Sequence, residues 1–387
     1  MINRITINEP DEETPLLHPT KDIVEKLTYY RSLFGKIHDL SEIEFESLKN
    51  EITEFFNLKV GGNTQDPPKR LVRISHNNRI LDAQGKELSY LTDISQLLAP
   101  PIECCGFGRC NIPNQQVLYC ATSEAGAYWE IKPKNGDVIT LSLFELKPNA
   151  KVNSLIMMGH KTKDPKITHQ LQEVYYLLED FFVDVYSIEV DRTRPRDYLF
   201  SALLSSEQLF YSGVLNKNFE AIIYPSVQKK QFSDNIAIRN ELILKHYNLI
   251  GVETRFILDE YENLDPASDE VTTDQIIGSF FTKEFDFETG KIMYDERVNE
   301  IFKLFRSMQT SSNKQVRFEQ EGQPNNMKFN LSPKRITNPI LRKVKTSKTG
   351  RNERINVVYQ GGIRKDNVKF KTVKEDIESG RCVIVNY

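Results

Sequence analysis

Gly108-Arg109-Cys110-Asn111, the run Val117-Leu118-Tyr119-Cys120-Ala121 and then Glu130 set an arginine, a tyrosine and a glutamate on three successive short segments. Tyr119 follows Arg109 by ten residues, and Glu130 follows Tyr119 by eleven. A guanidinium fork matches two phosphate oxygens at once, which the point charge of lysine does not. A phenol offers a flat face with a polar tip, suited to stacking and to donating its hydroxyl. A carboxylate beside a sugar ring stabilises the positive charge that grows there when a glycosidic bond breaks. Together these groups can hold a dinucleotide phosphate, stack on a flat ring and stabilise a cationic sugar. Arg73 joins them as a second phosphate candidate, because it interrupts the apolar run Leu71-Val72-Arg73-Ile74, where charge is uncommon unless paired. Ser226, after Pro225, and Asn235 are candidate hydrogen-bonding groups for a sugar or an incoming phosphate. Each has a plainer alternative: a solvated glutamate at a helix end, a loop arginine, a buried ion pair, a core tyrosine, a turn serine capping backbone.

Local signals supply elements to carry these side chains. Val117 to Ala121 reads as a strand. Ser123 is a good N-cap, with Glu124 favourably placed near the positive end of the helix dipole. The helix is expected to run to about Glu130 and stop before Pro133. Gly126 and Ala127 share the face of Glu130 and make it thin, so this helix can lie close to a sheet or a ligand. Val138 to Leu146 and Ala221 to Tyr224 read as strands, Gln170 to Phe182 and Arg196 to Tyr211 as helices. Asn240 to Tyr247 fits helix or strand. Upstream, Ile23, Leu27, Tyr30 and Phe34, then Phe45, Leu48, Ile52 and Phe55, recur at helical steps. Ser41 with Glu44 is a capping-box signature for the second run, so a helical hairpin is expected over 21–58. Asp295 to Ser307 reads as a short helix, and Ile355 to Tyr359 and Cys382 to Tyr387 as strands.

With 387 residues the chain fits roughly two domains. The segments divide into a leader and hairpin (1–65), the segment bearing the candidate groups (66–258), and an acidic linker with a basic extension (259–387). Hydrophobic residues make up 39% and charged residues 27%, an ordinary soluble composition. The net charge of −3 gives no overall signal for binding polyanions. Thirteen Lys or Arg between Lys334 and Lys374 face only Glu353 and Asp366. Few aromatics interleave them, so a solvated or intramolecular role is favoured over nucleic acid. No apolar run reaches about 18 residues, and the N-terminus lacks a signal-peptide core. A cytoplasmic location without membrane contact is the expectation. Cys104, Cys105, Cys110, Cys120 and Cys382 are odd in number, lack C-x-x-C spacing and have no clustered histidines. They predict reduced thiols and no metal site.

Taken in order, Arg73 in its strand, Gly108 to Asn111, Leu118 to Ala121, Ala127 to Glu130, and Ala221 to Ser226 with Asn235 resemble the RES domain, over roughly residues 70 to 245. Ile74 stands where that family often has tyrosine, and Cys110 where an aromatic is common. The resemblance implies an α/β (α+β) fold with an ADP-ribosyltransferase-like mixed-sheet core, here with an N-terminal helical extension and a C-terminal mixed extension. It implies an enzyme that degrades NAD by phosphorolysis or hydrolysis, as toxins of toxin–antitoxin pairs do. NAD would be the substrate rather than a cofactor, inorganic phosphate a possible co-substrate, and an antitoxin protein a possible partner. Glu130, Arg73 and Arg109 would be catalytic, and Tyr119, Ser226 and Asn235 would bind substrate. Mono-ADP-ribosylation of a protein or nucleic acid, and a non-enzymatic NAD-binding module, are the alternatives. Oligomeric state is not encoded in any motif here.

Overall fold

Ser41 caps the helix Glu42–Phe55 as its sequence predicts: its hydroxyl accepts from the Glu44 N–H, and its own N–H donates to the Glu44 carboxylate at 2.9 Å. The structure, a computed structural model, describes residues 20–56, 63–64, 66–77, 90–152, 155–160, 169–211, 219–227, 234–257, 276–312, 327–333, 353–359, 364–378 and 382–385. The expected leader, the acidic run from Asp259 to Glu270 and the basic run from Arg342 to Arg351 lie outside these residues.

The expected hairpin forms as α1 (Thr20–Ser32) and α2 (Glu42–Phe55). Their apolar stripes are buried together with α4 (His169–Ser187) and α5 (Leu199–Phe210), in a cluster that includes Tyr30, Phe56, Phe181 and Phe200. The strands are β1 (Asn63–Thr64), β2 (Arg70–His76), β3 (Val117–Ala121), β4 (Val138–Leu146), β5 (Leu155–Met157), β6 (Ala221–Pro225), β7 (Asp234–Arg239), β8 (Tyr247–Ile257) and β9 (Ile276–Thr282). A small hairpin of β10 (Glu284–Asp286) and β11 (Lys291–Met293) follows, then β12 (Met327–Asn330). Ten of them form one mixed sheet in the order β1-β5-β6-β7-β3-β2-β4-β8-β9-β12. The β5–β6 and β9–β12 pairs are parallel and the other pairs antiparallel. The protein is therefore a mixed α/β structure, as the segment pattern implies.

Alternation along the strands sorts side chains to two faces. One face carries Val72, Ile74 and Ala121 against Ala127 and Tyr128 of α3 (Glu124–Ile131), with Tyr119, Ile222, Tyr224 and Ala237 packed in the helical cluster. The other carries Leu71, Leu118, Cys120, Phe144 and Ile236 under Ile94 and Leu97 of a short 3₁₀ turn (Ile94–Leu97). The ambiguous segment from Asn240 resolves into both states: α6 (Asn240–His246) runs directly into β8 at Tyr247.

β9 pairs antiparallel with β8, from Val252↔Thr282 to Ile257↔Ile276. A division after residue 258 would thus fall between hydrogen-bonded neighbours, and the first compact unit runs from Met1 to Pro333. Helix α7 (Val298–Ser312) packs on β9, where a Cβ at Gly278 would meet Phe305 Cε1 at 2.1 Å, so only glycine fits. The second unit, Lys334–Tyr387, has β13 (Arg354–Tyr359) between β14 (Arg364–Lys369) and β15 (Cys382–Val385), with α8 (Phe370–Glu378) and a small core of Val357, Val373 and Cys382. No helix among the described residues is long and apolar enough to cross a membrane.

Candidate active site

Strands β2 and β3 touch through a single register pair, Val72↔Ala121. Beyond it they diverge, although β2 stays paired with β4 over its whole length and β3 with β7. The gap is a cleft of about 1000 Å³. Its walls include Arg73 to His76 of β2, Tyr119 to Ala121 of β3, Ala127 and Glu130 of α3, and the segment from Leu98 to Pro101. Arg73, Arg109, Tyr119, Glu130 and Asn235 all line it.

Helix α3 presents Glu130. Its cap is the expected one, with the Ser123 hydroxyl accepting from the Gly126 N–H at 3.1 Å. It ends at Lys132 in the left-handed conformation, one residue before Pro133. Arg255 of β8 ties the helix to the sheet by pairing with Glu124 and donating to the Tyr128 hydroxyl at 3.1 Å. Glu253 compensates that buried guanidinium and is itself held by Lys328 at 2.8 Å. Glu130 Oε1 accepts two hydrogen bonds, from Ser226 Oγ at 2.7 Å and from Asn235 Nδ2 at 2.7 Å. Ser226 and Asn235 are buried, one just past the end of β6 and the other at the start of β7. Two donors about a hundred positions downstream of Glu130 thus meet at one of its carboxylate oxygens. The other oxygen takes no hydrogen bond from the described residues. Ser226 does not itself line the cleft; it reaches it through Glu130.

The Arg109 turn is held from below by Tyr119. The Tyr119 hydroxyl donates to Asn111 Oδ1 at 2.7 Å and accepts from the Cys110 N–H at 2.8 Å. Gly108 leaves the room this needs, because a Cβ there would lie 2.7 Å from that hydroxyl. The hydroxyl that could have donated to a substrate is therefore engaged within the protein. We expect Tyr119→Phe to orphan the Cys110 N–H and destabilise the fold by about 1–3 kcal/mol, read as a lower denaturation midpoint. An unchanged midpoint would remove this role.

Arg109 is likewise partly occupied. Nη1 donates to the Tyr186 carbonyl and Nη2 to the Ile188 carbonyl, both at 2.9 Å. Its guanidinium lies 5.2 Å from the Tyr198 ring centre and 5.9 Å from that of Tyr224. Each terminal nitrogen retains a second hydrogen. Tyr198 and Tyr224 also line the cleft, and neither hydroxyl is hydrogen-bonded within the described residues. Burial raises the pKa of both phenols, and Glu130 adds to the rise. Sequence reasoning assigned neither a role. Tyr224 sits beside Pro225-Ser226 in a quoted motif, which was a usable signal; Tyr198, in the one-turn 3₁₀ segment before α5, had none.

Arg73 stands apart. Alternation and its pairing with Ser142 put it on the sheet face opposite α3, beside Cys120. It meets the same cleft from the other side. Burial lowers its pKa, and only the nearby Cys120 thiol opposes the shift. The structure thus gathers Arg109, Tyr119, Glu130, Ser226 and Asn235 on one face and leaves Arg73 on the other. Among the described residues no three His, Cys, Asp or Glu side chains form a group able to hold a metal.

No protein-family model matches the chain, and no solved structure matches it. Among curated proteins, a 35-residue stretch is 54% identical to the protein translocase subunit SecA of Amoebophilus asiaticus (strain 5a2), which covers 9% of this chain and 3% of that protein. A stretch of that length carries no argument about family or activity.

Proposed function

We propose that the chain is an NAD-degrading enzyme with an ADP-ribosyltransferase-like core, which cleaves the nicotinamide–ribose bond by phosphorolysis or hydrolysis. The observation that carries this reading is the Glu130 carboxylate, fixed through one oxygen by Ser226 and Asn235 at the wall of a large cleft. Both donors are neutral, so the negative charge stays available, and the second oxygen is left for a ribose. The order of motifs resembling the RES domain supports the same chemistry. So does the cleft, which reaches the upper end of the range of about 300–1,000 Å³ typical of small-molecule sites and is lined by Tyr119, Tyr198 and Tyr224.

In the reaction the C–N bond breaks and its electron pair returns to the pyridinium nitrogen. Nicotinamide leaves neutral, so no general acid is needed. Positive charge appears on the ribose, where a fixed carboxylate stabilises the transition state more than the ground state. Water or inorganic phosphate then bonds to the ribose carbon, and water releases its proton to solvent. The products are nicotinamide and ADP-ribose or its 1″-phosphate. Incubating the purified protein with NAD, with and without phosphate, tests the reading through nicotinamide release. Absence of release in both buffers would sink it. Label from NAD recovered on a macromolecule would instead assign ADP-ribosyl transfer.

A further inference from the structure

Positive charge is concentrated in the second unit. Lys334 to Tyr387 holds 14 of the chain's 51 Lys and Arg but only five of its 54 Asp and Glu, which leaves the first unit net acidic. The scarcity of aromatics in this stretch argues against a platform on which single-stranded bases stack; a duplex needs no such platform. Register sorts the basic side chains of the small sheet. Lys365 pairs with the core residue Val357, so it shares the face covered by α8, and its ammonium lies 4.8 Å from the Tyr359 ring centre. Arg354 pairs with Lys369, and Val358 with Arg364. Positions 354 and 358 alternate with Val357, so Arg354, Lys369 and Arg364 share the face turned away from α8. All three are exposed. Arg354 and Lys369 are like charges directly opposite each other, which costs stability. Nη1 of Arg354 donates to the Asn367 carbonyl at 3.0 Å, and no carboxylate among the described residues pairs with Arg354 or Lys369. Blunting the edge of β14 takes a charge, but not two of one sign facing each other. Arg364 meets Asp366 at 2.7 Å, an exposed pair that contributes little. Three of the five acids, Glu375, Asp376 and Glu378, belong to α8.

We propose that this sheet face binds double-stranded DNA, with Arg354 and Lys369 on the phosphates of one backbone and Arg364 on those across the major groove. A row of phosphates supplies the negative charge that the Arg354–Lys369 pair lacks. The spacing agrees: four residue steps along β13 separate Arg354 from the partner of Arg364, about 13 Å of strand, against a B-form major groove about 12 Å wide. The major groove of an RNA duplex is deep and narrow, so RNA should bind more weakly. The proposal involves none of the Glu130 cleft and is independent of the NAD reaction.

Fluorescence anisotropy of the full chain with a labelled DNA duplex of about 20 base pairs, between about 50 and 200 mM salt, tests the face. The wild type should bind, with an affinity that falls as salt rises and counterion release is suppressed. Lys369→Gln and Arg364→Gln should each flatten the slope of log affinity against log salt by about 1. Lys369→Gln should melt no lower than the wild type, because it relieves a like-charge pair, so its weaker binding is not a folding defect. It decides the matter if Arg364→Gln does not fold. Lys365→Gln removes the same charge from the other face of the same strand and should leave the slope unchanged. No binding at the lowest salt, or an equal loss in Lys365→Gln, overturns the proposal. So does an RNA duplex bound as tightly as DNA, or a preference for phosphatidylserine vesicles, which would assign the face to a membrane surface.

Discussion

Glu130→Gln is expected to lower nicotinamide release from NAD at least about 100-fold, the scale of losing one preorganised electrostatic partner of the transition state. The hydrogen bonding makes this a clean experiment. Oε1 accepts from both Ser226 and Asn235, and a glutamine side-chain oxygen can accept the same two bonds. The amide nitrogen then takes the place of the oxygen that has no partner, and the shape barely changes. What disappears is the negative charge on which the proposed reaction depends. The melting temperature should therefore stay within about 2 °C of wild type, while the rate falls mainly in kcat. A folded variant with near wild-type turnover would show that the carboxylate is a structural acceptor for its two donors and nothing more.

Phe181→Ala is expected to be the most damaging core substitution, at about 3–5 kcal/mol. Phe181 has no exposed surface. Its ring stacks on Phe56 at 5.6 Å and meets Phe200 at 5.7 Å, Phe34 at 6.0 Å and Tyr30 at 6.2 Å. Those partners come from the N-terminal hairpin and from α5, so one ring joins three parts of the helical layer. The C-terminal end of α4 also supplies the Tyr186 carbonyl that holds Arg109. Denaturant unfolding should show the loss in midpoint, and nicotinamide release should fall with it. A stability loss below about 1 kcal/mol would mean that the hairpin is an appendage rather than part of the core.

The local pieces of this fold were legible because their signals are local. Ser123, Gly126 and Pro133 bound α3, and the branched and aromatic run from Val138 to Leu146 matches β4 in extent. The long-range facts were not. Whether Arg73 faces the same side as Glu130 depends on strand register, and no residue near Arg73 encodes its pairing with Ser142. The segment from Asn240 to Tyr247 was ambiguous because it contains a junction: helix to His246, strand from Tyr247, with no glycine or proline between. The extent of the first unit was also hidden. The sheet resumes at Ile276, and an acidic stretch that reads as a linker precedes two strands of the same sheet, β9 and β12. At the site, residue types pointed to Tyr119 as a ligand-facing group, whereas its hydroxyl braces the Arg109 turn. Tyr198 and Tyr224, whose hydroxyls are not hydrogen-bonded among the described residues, were assigned no role from sequence.

The lone Val72↔Ala121 contact between β2 and β3 has a mechanical consequence. Five strands lie on each side of it, so the two plates are stitched at one point, and their relative stiffness comes from whatever spans the join. Helix α3 bridges it on one surface, through Ala127 and Tyr128 against Val72 and Ala121. On the other, Ile94 and Leu97 cover Leu71 and Leu118 together. Trimming those bridging side chains would loosen the hinge while leaving the ladder within each plate intact, so the aperture and the strength of the sheet are separately adjustable by mutation.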